Sequence, residues 1–269
     1  MEEKNHLEKV KSFHDRDAEG YERARYQEKT CEGMAYLQRK EIILNMVDGC
    51  KGTILDIGCG PGILTAHLVD RGFRVFNADL SIGMLKKAKQ EMEERKLDIQ
   101  SGGGSAFYLV SDASKISIMK EKADNALCIG VITYLKDYSL LLSEAKRILK
   151  PDGLFIIQVN KIKFPFLYKK AVKIYHVLKR FLQGKKKNEI NFEMNLFDYE
   201  NFLNDFGNYG MEIKELRYYD FRIPFADILF PIWSLKMGKW IHKKKEPRVQ
   251  RLFSHGIIVK VQKKGVSKI

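Results

Sequence analysis

The stretch Thr53-Ile54-Leu55-Asp56-Ile57-Gly58-Cys59-Gly60-Pro61-Gly62 constrains this chain more than any other. A β-branched and aliphatic run ends in an acid and three alternating glycines, and an amphipathic stretch from Ile63 to Val69 follows. Strand, glycine loop and helix in that order make a nucleotide-binding turn. The glycines allow a tight bend and bring backbone N–H groups close to a ligand, because no Cβ intervenes. The spacing is G-x-G-x-G, not the G-x-G-x-x-G of a dinucleotide fingerprint. Asp56 stands two residues before the first glycine.

Beyond Gly52 the pattern alternates. Strands are predicted at 53–57, 73–78, 106–110, 125–130 and 154–159, with helices at about 62–70, 81–96 and 138–149. Ser81 has the chemistry of an N-cap, and Lys150-Pro151-Asp152-Gly153 that of a turn. Such alternation predicts an α/β fold with a parallel sheet. Residues 5–47 read as charged helices. After residue 160 the order breaks: a basic amphipathic stretch at 161–187, a helix at 198–206, a strand at 212–219, an aromatic and basic insertion at 220–250, and a last strand at 254–261. The last two strands are expected to join without a crossover helix. The chain divides into a helical lid (1–50), a core (51–160), a basic insertion and helix (161–210) and the last two strands with their insertion (211–269), within one domain. A length of 269 residues suits one elaborated domain.

Further motifs follow the loop in order. Phe76-Asn77-Ala78-Asp79-Leu80-Ser81 ends strand two with an acid 19 residues after Gly60, where nucleotide folds hold ribose hydroxyls. Ser111-Asp112-Ala113 follows strand three. Asp124 to Tyr134 spans strand four and its exit, and Leu142 to Gly153 forms a helix and turn before strand five. In this series the chain resembles the class I S-adenosylmethionine-dependent methyltransferases, over roughly residues 50–160 and more weakly over the last strands. The resemblance implies a Rossmann-like, mostly parallel seven-stranded sheet with an antiparallel last strand, helices on both faces and helical cap insertions. It implies S-adenosyl-L-methionine as cofactor, held by Gly58, Cys59, Gly60, Gly62 and Gly130. Asp79 would hold the ribose, Leu80 the adenine face, and Asp112 with Ala113 the adenine edge. Asp56 is expected to order the glycine loop and reach the methionine ammonium. Residues 13–22 resemble the family's aromatic, acidic lid helix, with Tyr21 as lid residue. Cys59 reads as filler, since a sulfonium donor needs no thiolate.

Methyl transfer from a sulfonium needs alignment and exclusion of water, and for some acceptors a base. Tyr134 and Thr133 at the strand-four exit, with His14 and His176 from flanking helices, are the candidates. Many family members have His where this chain has Thr133. The proline-aromatic motif of nucleic-acid amino-methyltransferases is missing after strand four, which argues against methylation of a base nitrogen. No metal site is expected: Cys31, Cys50, Cys59 and Cys128 lie far apart, in no C-x-x-C pair.

The formal charge of +14 is concentrated. Residues 161–187 hold ten Lys/Arg and no acid, and residues 236–251 hold seven against Glu246 alone. In the first segment Phe164, Leu167, Ala171, Ile174, Leu178 and Phe181 form an apolar stripe at helical spacing. In the second, Leu229, Phe230, Trp233 and Trp240 stand beside Lys236, Lys239 and Lys243-Lys244-Lys245, with Phe225, Ile228 and Leu235 adding to the apolar content. Charge flanking apolar stripes fits helices at an anionic membrane surface. A cap packed on the sheet is the first alternative, a nucleic-acid surface the second. The charged N-terminus has no apolar run behind it, and no segment reaches bilayer-spanning length. The sequence therefore predicts a cytoplasmic methyltransferase, peripheral to the inner face of a membrane. Its acceptor is a small or lipid-like molecule, of isoprenoid, quinone or lipid-linked type. The competing readings are an RNA methyltransferase and a non-catalytic cofactor-binding regulator.

Overall fold

The computed structural model describes residues 2–95, 103–161, 174, 177, 192, 194–195, 197–221, 229–244 and 246–265. The chain opens with α1 (Glu2–Asp17), a 3₁₀ turn (Ala18–Gly20), α2 (Tyr21–Arg25) and α3 (Cys31–Met46). The alternating core follows: β1 (Thr53–Ile57), α4 (Ile63–Asp70), β2 (Arg74–Asp79), α5 (Ile82–Glu94), β3 (Ser105–Val110), β4 (Ala123–Cys128), α6 (Ser139–Ile148) and β5 (Leu149–Asn160). The last part contains α7 (Tyr199–Asn208), β6 (Met211–Phe221), α8 (Pro231–Lys244), α9 (Pro247–Phe253) and β7 (Ser254–Lys263).

The seven strands form one sheet in the order β3-β2-β1-β4-β5-β7-β6. The pairs β1–β2, β2–β3, β1–β4 and β4–β5 are parallel, and β7 is antiparallel to both its neighbours. The expected Rossmann-like sheet, with its antiparallel last strand, is therefore present. Strand order reverses between β1 and β4, which opens a crevice at the carboxyl ends of those strands, where open α/β sheets bind ligands.

Period-two alternation puts each central strand to work on both faces. Leu55, Ile57, Ala126, Phe155 and Ile157 pack toward α6 and α7, whose Leu141, Ile148, Phe202 and Phe206 complete one core. Ile54, Val75, Leu127, Ile156 and Ile258 face the other way, onto Ile43 and Met46 of α3 and Leu68 of α4. Caps fall where side-chain chemistry demands: Thr30, Ser81 and Asp198 accept from the first free N–H groups of α3, α5 and α7.

Three expectations need correction. The strand-four reading of 125–130 moves back to 123–128, because Gly130 adopts φ 78° and leaves the sheet. The turn expected at 150–153 lies within β5: Leu149 pairs with Ala123 and Leu154 with Asn125, so the extra residues bulge outward and Asp152 takes φ 62°. The connection from β6 to β7 is not free of helices, since α8 and α9 lie between them. No handed crossover is required there, because the two strands run antiparallel. Most of the 161–187 stripe, together with Phe225, Ile228 and Lys245, lies outside the described residues.

Candidate functional site

A cavity opens at the carboxyl ends of β1, β2 and β4. Its floor is the glycine loop, where the Gly58 and Cys59 N–H groups both donate to the Ala78 carbonyl, at 2.7 and 3.2 Å. The Gly60 N–H donates to Asp79 Oδ2 at 2.9 Å. The end of β2 thus orders the loop. Asp56, expected to do so, is buried in β1 and, among the described residues, makes no hydrogen bond with the loop and does not line the cavity. Gly58 has φ 70°, and a Cβ there would sit 2.2 Å from Val131 Cγ2 at the β4 exit. Gly62, at φ 77°, caps α4 against Ala88 behind the cavity wall.

Asp79 lines the cavity, and its second oxygen accepts from the Ser81 N–H at 2.8 Å. Burial raises its pKa against the backbone N–H groups that favour the charge. For Asp56, burial first and the Asp79 charge second push the carboxyl up to about 7. Buried Asp56 and half-buried Asp79 repel, and a cationic ligand group beside Asp79 would relieve that repulsion. Burial also drives the Cys59 thiol well up, which leaves no reactive thiolate.

The far wall holds Asp112 and Ala113 after β3. Asp112 Oδ1 accepts from the Ser114 N–H and hydroxyl at 2.8 and 2.9 Å, which fixes the carboxylate's direction. Leu80, Met84 and Ile129 supply apolar surface, and Gly130 leaves an opening at the β4 exit. Helix α1 closes the top. Leu7, Val10, Lys11 and His14 fall on one helical face toward the cavity, and Tyr21 joins them after the 3₁₀ turn. The lid is pinned: Ser81 Oγ donates to Asp15 Oδ1 at 2.6 Å, and the Gly83 N–H reaches the same oxygen at 2.8 Å.

Of the four candidate bases, His14 and Tyr134 line the cavity. Their rings meet edge to face at 4.9 Å, and Phe192 packs on Tyr134 from the other side. Burial is the main cause lowering the His14 pKa, so its imidazole is neutral at neutral pH. Burial raises that of Tyr134. Thr133 does not line the cavity; its carbonyl accepts from the Asn195 N–H. His176 lies outside the described residues. Sequence reasoning missed Leu7, Val10 and Lys11, whose spacing with His14 is a helical face in plain view. It read Ser81 as a helix cap and Ser111 as a motif neighbour of Asp112, and did not place either in the cavity they line.

An S-adenosylmethionine molecule fits the residues present. The loop leaves no room for a side chain at Gly58, a carboxylate stands at the end of β2, and buried acids adjoin the loop. Among the described residues, no group of His, Cys, Asp or Glu could hold a metal ion, and no helix is long and apolar enough to cross a membrane.

Residues 55–157 match the family described as Methyltransferase domain. Over 109 residues the chain is 34% identical to Ubiquinone biosynthesis O-methyltransferase of Bartonella bacilliformis, covering 40% of this chain and 41% of that one. Over 106 residues it is 29% identical to Malonyl-(acyl-carrier protein) O-methyltransferase of Hamiltonella defensa, covering 39% and 37%. The match thus spans about two fifths of the length of these curated relatives. Among solved structures, magnesium protoporphyrin IX methyltransferase (ChlM) from Synechocystis PCC 6803 with bound SAH has a TM-score of 0.63 at 15% identity, covering 96% of this chain and 99% of that one. That likeness shows the shared fold.

Proposed function

We propose that the chain, whose residues 55–157 match the family described as Methyltransferase domain, is a class I S-adenosylmethionine-dependent methyltransferase that transfers a methyl group to a small or lipid-like acceptor at a membrane surface. One observation carries the reading: a single cavity gathers the glycine loop, Asp79 and Asp112, and α1 roofs it.

When bound, S-adenosylmethionine supplies an activated methyl, whose C–S bond breaks toward sulfur as a lone pair on the acceptor forms the new bond. The protein's share is binding, alignment and dryness. The Gly58 and Gly60 backbone would lie against the ligand. Asp79 and Asp112 would accept from its ribose and adenine, and its positive charges would relieve the repulsion between Asp79 and Asp56. The α1 face from Leu7 to His14 excludes water. Neutral His14 takes the proton of a hydroxyl acceptor. Gly130 and Tyr134 mark the side from which the acceptor enters.

Helix α8 supports membrane contact. It turns Ser234, Gly238 and Ile241 inward, and a Cβ on Gly238 would lie 2.8 Å from the Phe221 carbonyl. Small residues on the inner face let the helix sit close and leave its large side chains outside. Trp233 and Trp240 are 52% and 53% exposed, and Phe230, Ile232 and Leu229 are exposed beside them. Lys236, Lys239, Lys243 and Lys244 share that outer arc, with Lys244 Nζ 5.3 Å from the Trp240 ring centre. Interleaved Trp and Lys suit a bilayer interface. The names of the relatives, one acting in ubiquinone biosynthesis and one on a carrier-bound malonyl group, support acceptors with apolar or carrier-linked bodies.

Two experiments test this. Methyl-labelled S-adenosylmethionine incubated with the protein and a membrane extract should label an organic-soluble product; no incorporation in either phase counts against a transferase. Flotation with anionic vesicles should recover the protein, and Trp233→Ser/Trp240→Ser should lower the recovery. Equal recovery of both forms would remove the membrane from the account.

A further inference from the structure

Beside the cofactor cavity lies a cluster of tyrosines and arginines that the cofactor reading does not use. Its members come from α2, α3 and the end of β6. Arg39 of α3 has its guanidinium 4.4 Å from the Tyr36 ring centre, and the Tyr26 hydroxyl and Tyr219 lie close by. The Tyr26 and Tyr36 rings are 5.4 Å apart. Arg25 of α2 lies 4.0 Å over the ring of Tyr21, which also lines the cofactor cavity. The cluster and the cofactor cavity meet at Gly130: a methyl group placed on it would sit 3.5 Å from Arg39 Nη1 and 3.9 Å from Gln158 Oε1. Arg39 therefore stands at the β4 exit, beside the cavity that Gly130 lines.

Its charges do not balance. Arg25 Nη2 pairs with Asp17 Oδ2 at 2.6 Å. Arg25 Nη1 is buried with no hydrogen-bond partner among the described residues. Arg39 is half-buried, and among the described residues no carboxylate lies within ion-pair distance of it. Tyrosine faces offset part of the cost of withdrawing a guanidinium from water. They do not satisfy its five donors, and a partly buried charge gains from a counter-charge that also accepts hydrogen bonds. Burial and the neighbouring Tyr21 push the Tyr36 hydroxyl up to about 12, so it stays neutral and cannot supply the missing negative charge.

We propose that this cluster is the acceptor's anchoring site, and that the acceptor carries a carboxylate on an apolar or aromatic body, held by Arg39 and the free Arg25 Nη1. One guanidinium lacks an acid, which matches one negative charge better than a dianionic phosphate. A planar carboxylate also meets the guanidinium fork with two parallel hydrogen bonds. The tyrosine rings would stack on the acceptor's body, and its reacting end would project past Gly130 into the cofactor cavity. This inference rests on the methyltransferase reading for its biological meaning, and the test separates the two.

Protein loaded with S-adenosylhomocysteine is titrated calorimetrically with 3-phenylpropanoate, its methyl ester and phenyl phosphate. The acid should bind at least about tenfold more tightly than the ester, as expected for a charge-assisted pair. Arg39→Met should abolish that preference while S-adenosylhomocysteine still binds, and Arg39→Lys should keep part of it. A merely structural Arg39 would move stability and leave acid and ester alike. Equal affinity for acid and ester, no acid binding, tighter binding of phenyl phosphate, or a preference that survives Arg39→Met overturns the proposal. Failure of S-adenosylhomocysteine to bind the unaltered protein would instead strike the methyltransferase reading, and the acid and ester titrations would then be read on the free protein.

Discussion

Ser81 Oγ donates a 2.6 Å hydrogen bond to Asp15 Oδ1 and thereby fastens the roof of the cavity to the start of α5. The same serine oxygen accepts from the Met84 N–H at 3.0 Å, and the Gly83 N–H also reaches Asp15. One carboxylate thus completes the N-terminus of α5 and holds α1 in place. Asp15 suits that position, since a negative charge there meets the Gly83 N–H, the Ser81 hydroxyl and the helix dipole.

Asp15→Ala should therefore loosen the roof without unfolding the sheet. Burial acts to raise the Asp15 pKa, but the bonds from Ser81 and Gly83, with Lys11 nearby, hold it below the usual range. The stability this contributes is present above pH ~4 and is lost as the pH falls below that value. At pH 7 the variant should lose about 1–2 kcal/mol, the worth of a charge-assisted bond at a partly exposed site. Its amides in residues 5–17 should exchange faster, and S-adenosylmethionine should dissociate faster. Unchanged exchange in α1 would show that apolar packing alone holds the roof.

Asp56 gives the opposite pH signature. Its native pKa, about 7, lies above that of an unfolded aspartate, near ~3.9. Between those values the native state holds a proton that the unfolded chain has lost. Stability therefore falls as pH rises from about 4 to about 7 and stays lower above that. Asp56→Asn should be the more stable protein at pH 8, by on the order of 1–4 kcal/mol, and should match the parent near pH 4. Binding of a sulfonium and an ammonium nearby favours the ionised acid. At pH 6.5 cofactor binding should release protons, seen as heats that differ between phosphate and Tris. Identical heats in the two buffers would place the ligand's charges away from Asp56 and Asp79.

Gly58 tests the loop. An alanine there must adopt φ 70° and push its Cβ to within 2.2 Å of Val131 Cγ2. The strained dihedral alone costs about 1–3 kcal/mol, and a displaced loop should weaken S-adenosylmethionine binding more than about tenfold. Adding Val131→Ala relieves the clash but not the dihedral, so the double variant should recover part of the loss. No recovery would mean that Val131 does not set the loop's path.

These relationships differ in how far the sequence exposes them. The loop at 58–62 was legible because it depends on local geometry: a strand must end, turn and present N–H groups within a few residues. Its link to Asp79 was not, since Gly60 and Asp79 meet only when β1 and β2 pair, and the reading gave that task to Asp56. Cavity residues 79–80, 112–113 and 130 were named through the family resemblance, whose motifs fall after successive strands, and all of them line the cavity. Asp15 and Ser81, 66 positions apart, could not be paired from spacing, since only packing of α1 on α5 brings them together. Arg39 was hidden for the same reason: one arginine in a charged helix looks solvent-facing until Tyr36, Tyr219 and Gly130 are placed around it. The turn expected at 150–153 went astray because Pro, Asp and Gly suit a β-bulge as well as a free turn, and pairing of Leu149 with Ala123 decided the matter. Helix α8 was expected only as part of a helical cap insertion, without bounds. Its inner face is Ser234, Gly238 and Ile241, so most of the usual apolar signal points outward.

The central claim, that the cavity under α1 holds S-adenosylmethionine, is tested most directly by calorimetric titration of that molecule into the unaltered protein and into Asp79→Ala. The account predicts one site per chain, and a loss of about 1–3 kcal/mol in the variant as the charged hydrogen bonds of Asp79 disappear. Absence of binding by both S-adenosylmethionine and S-adenosylhomocysteine, or equal affinity in the two proteins, would contradict it.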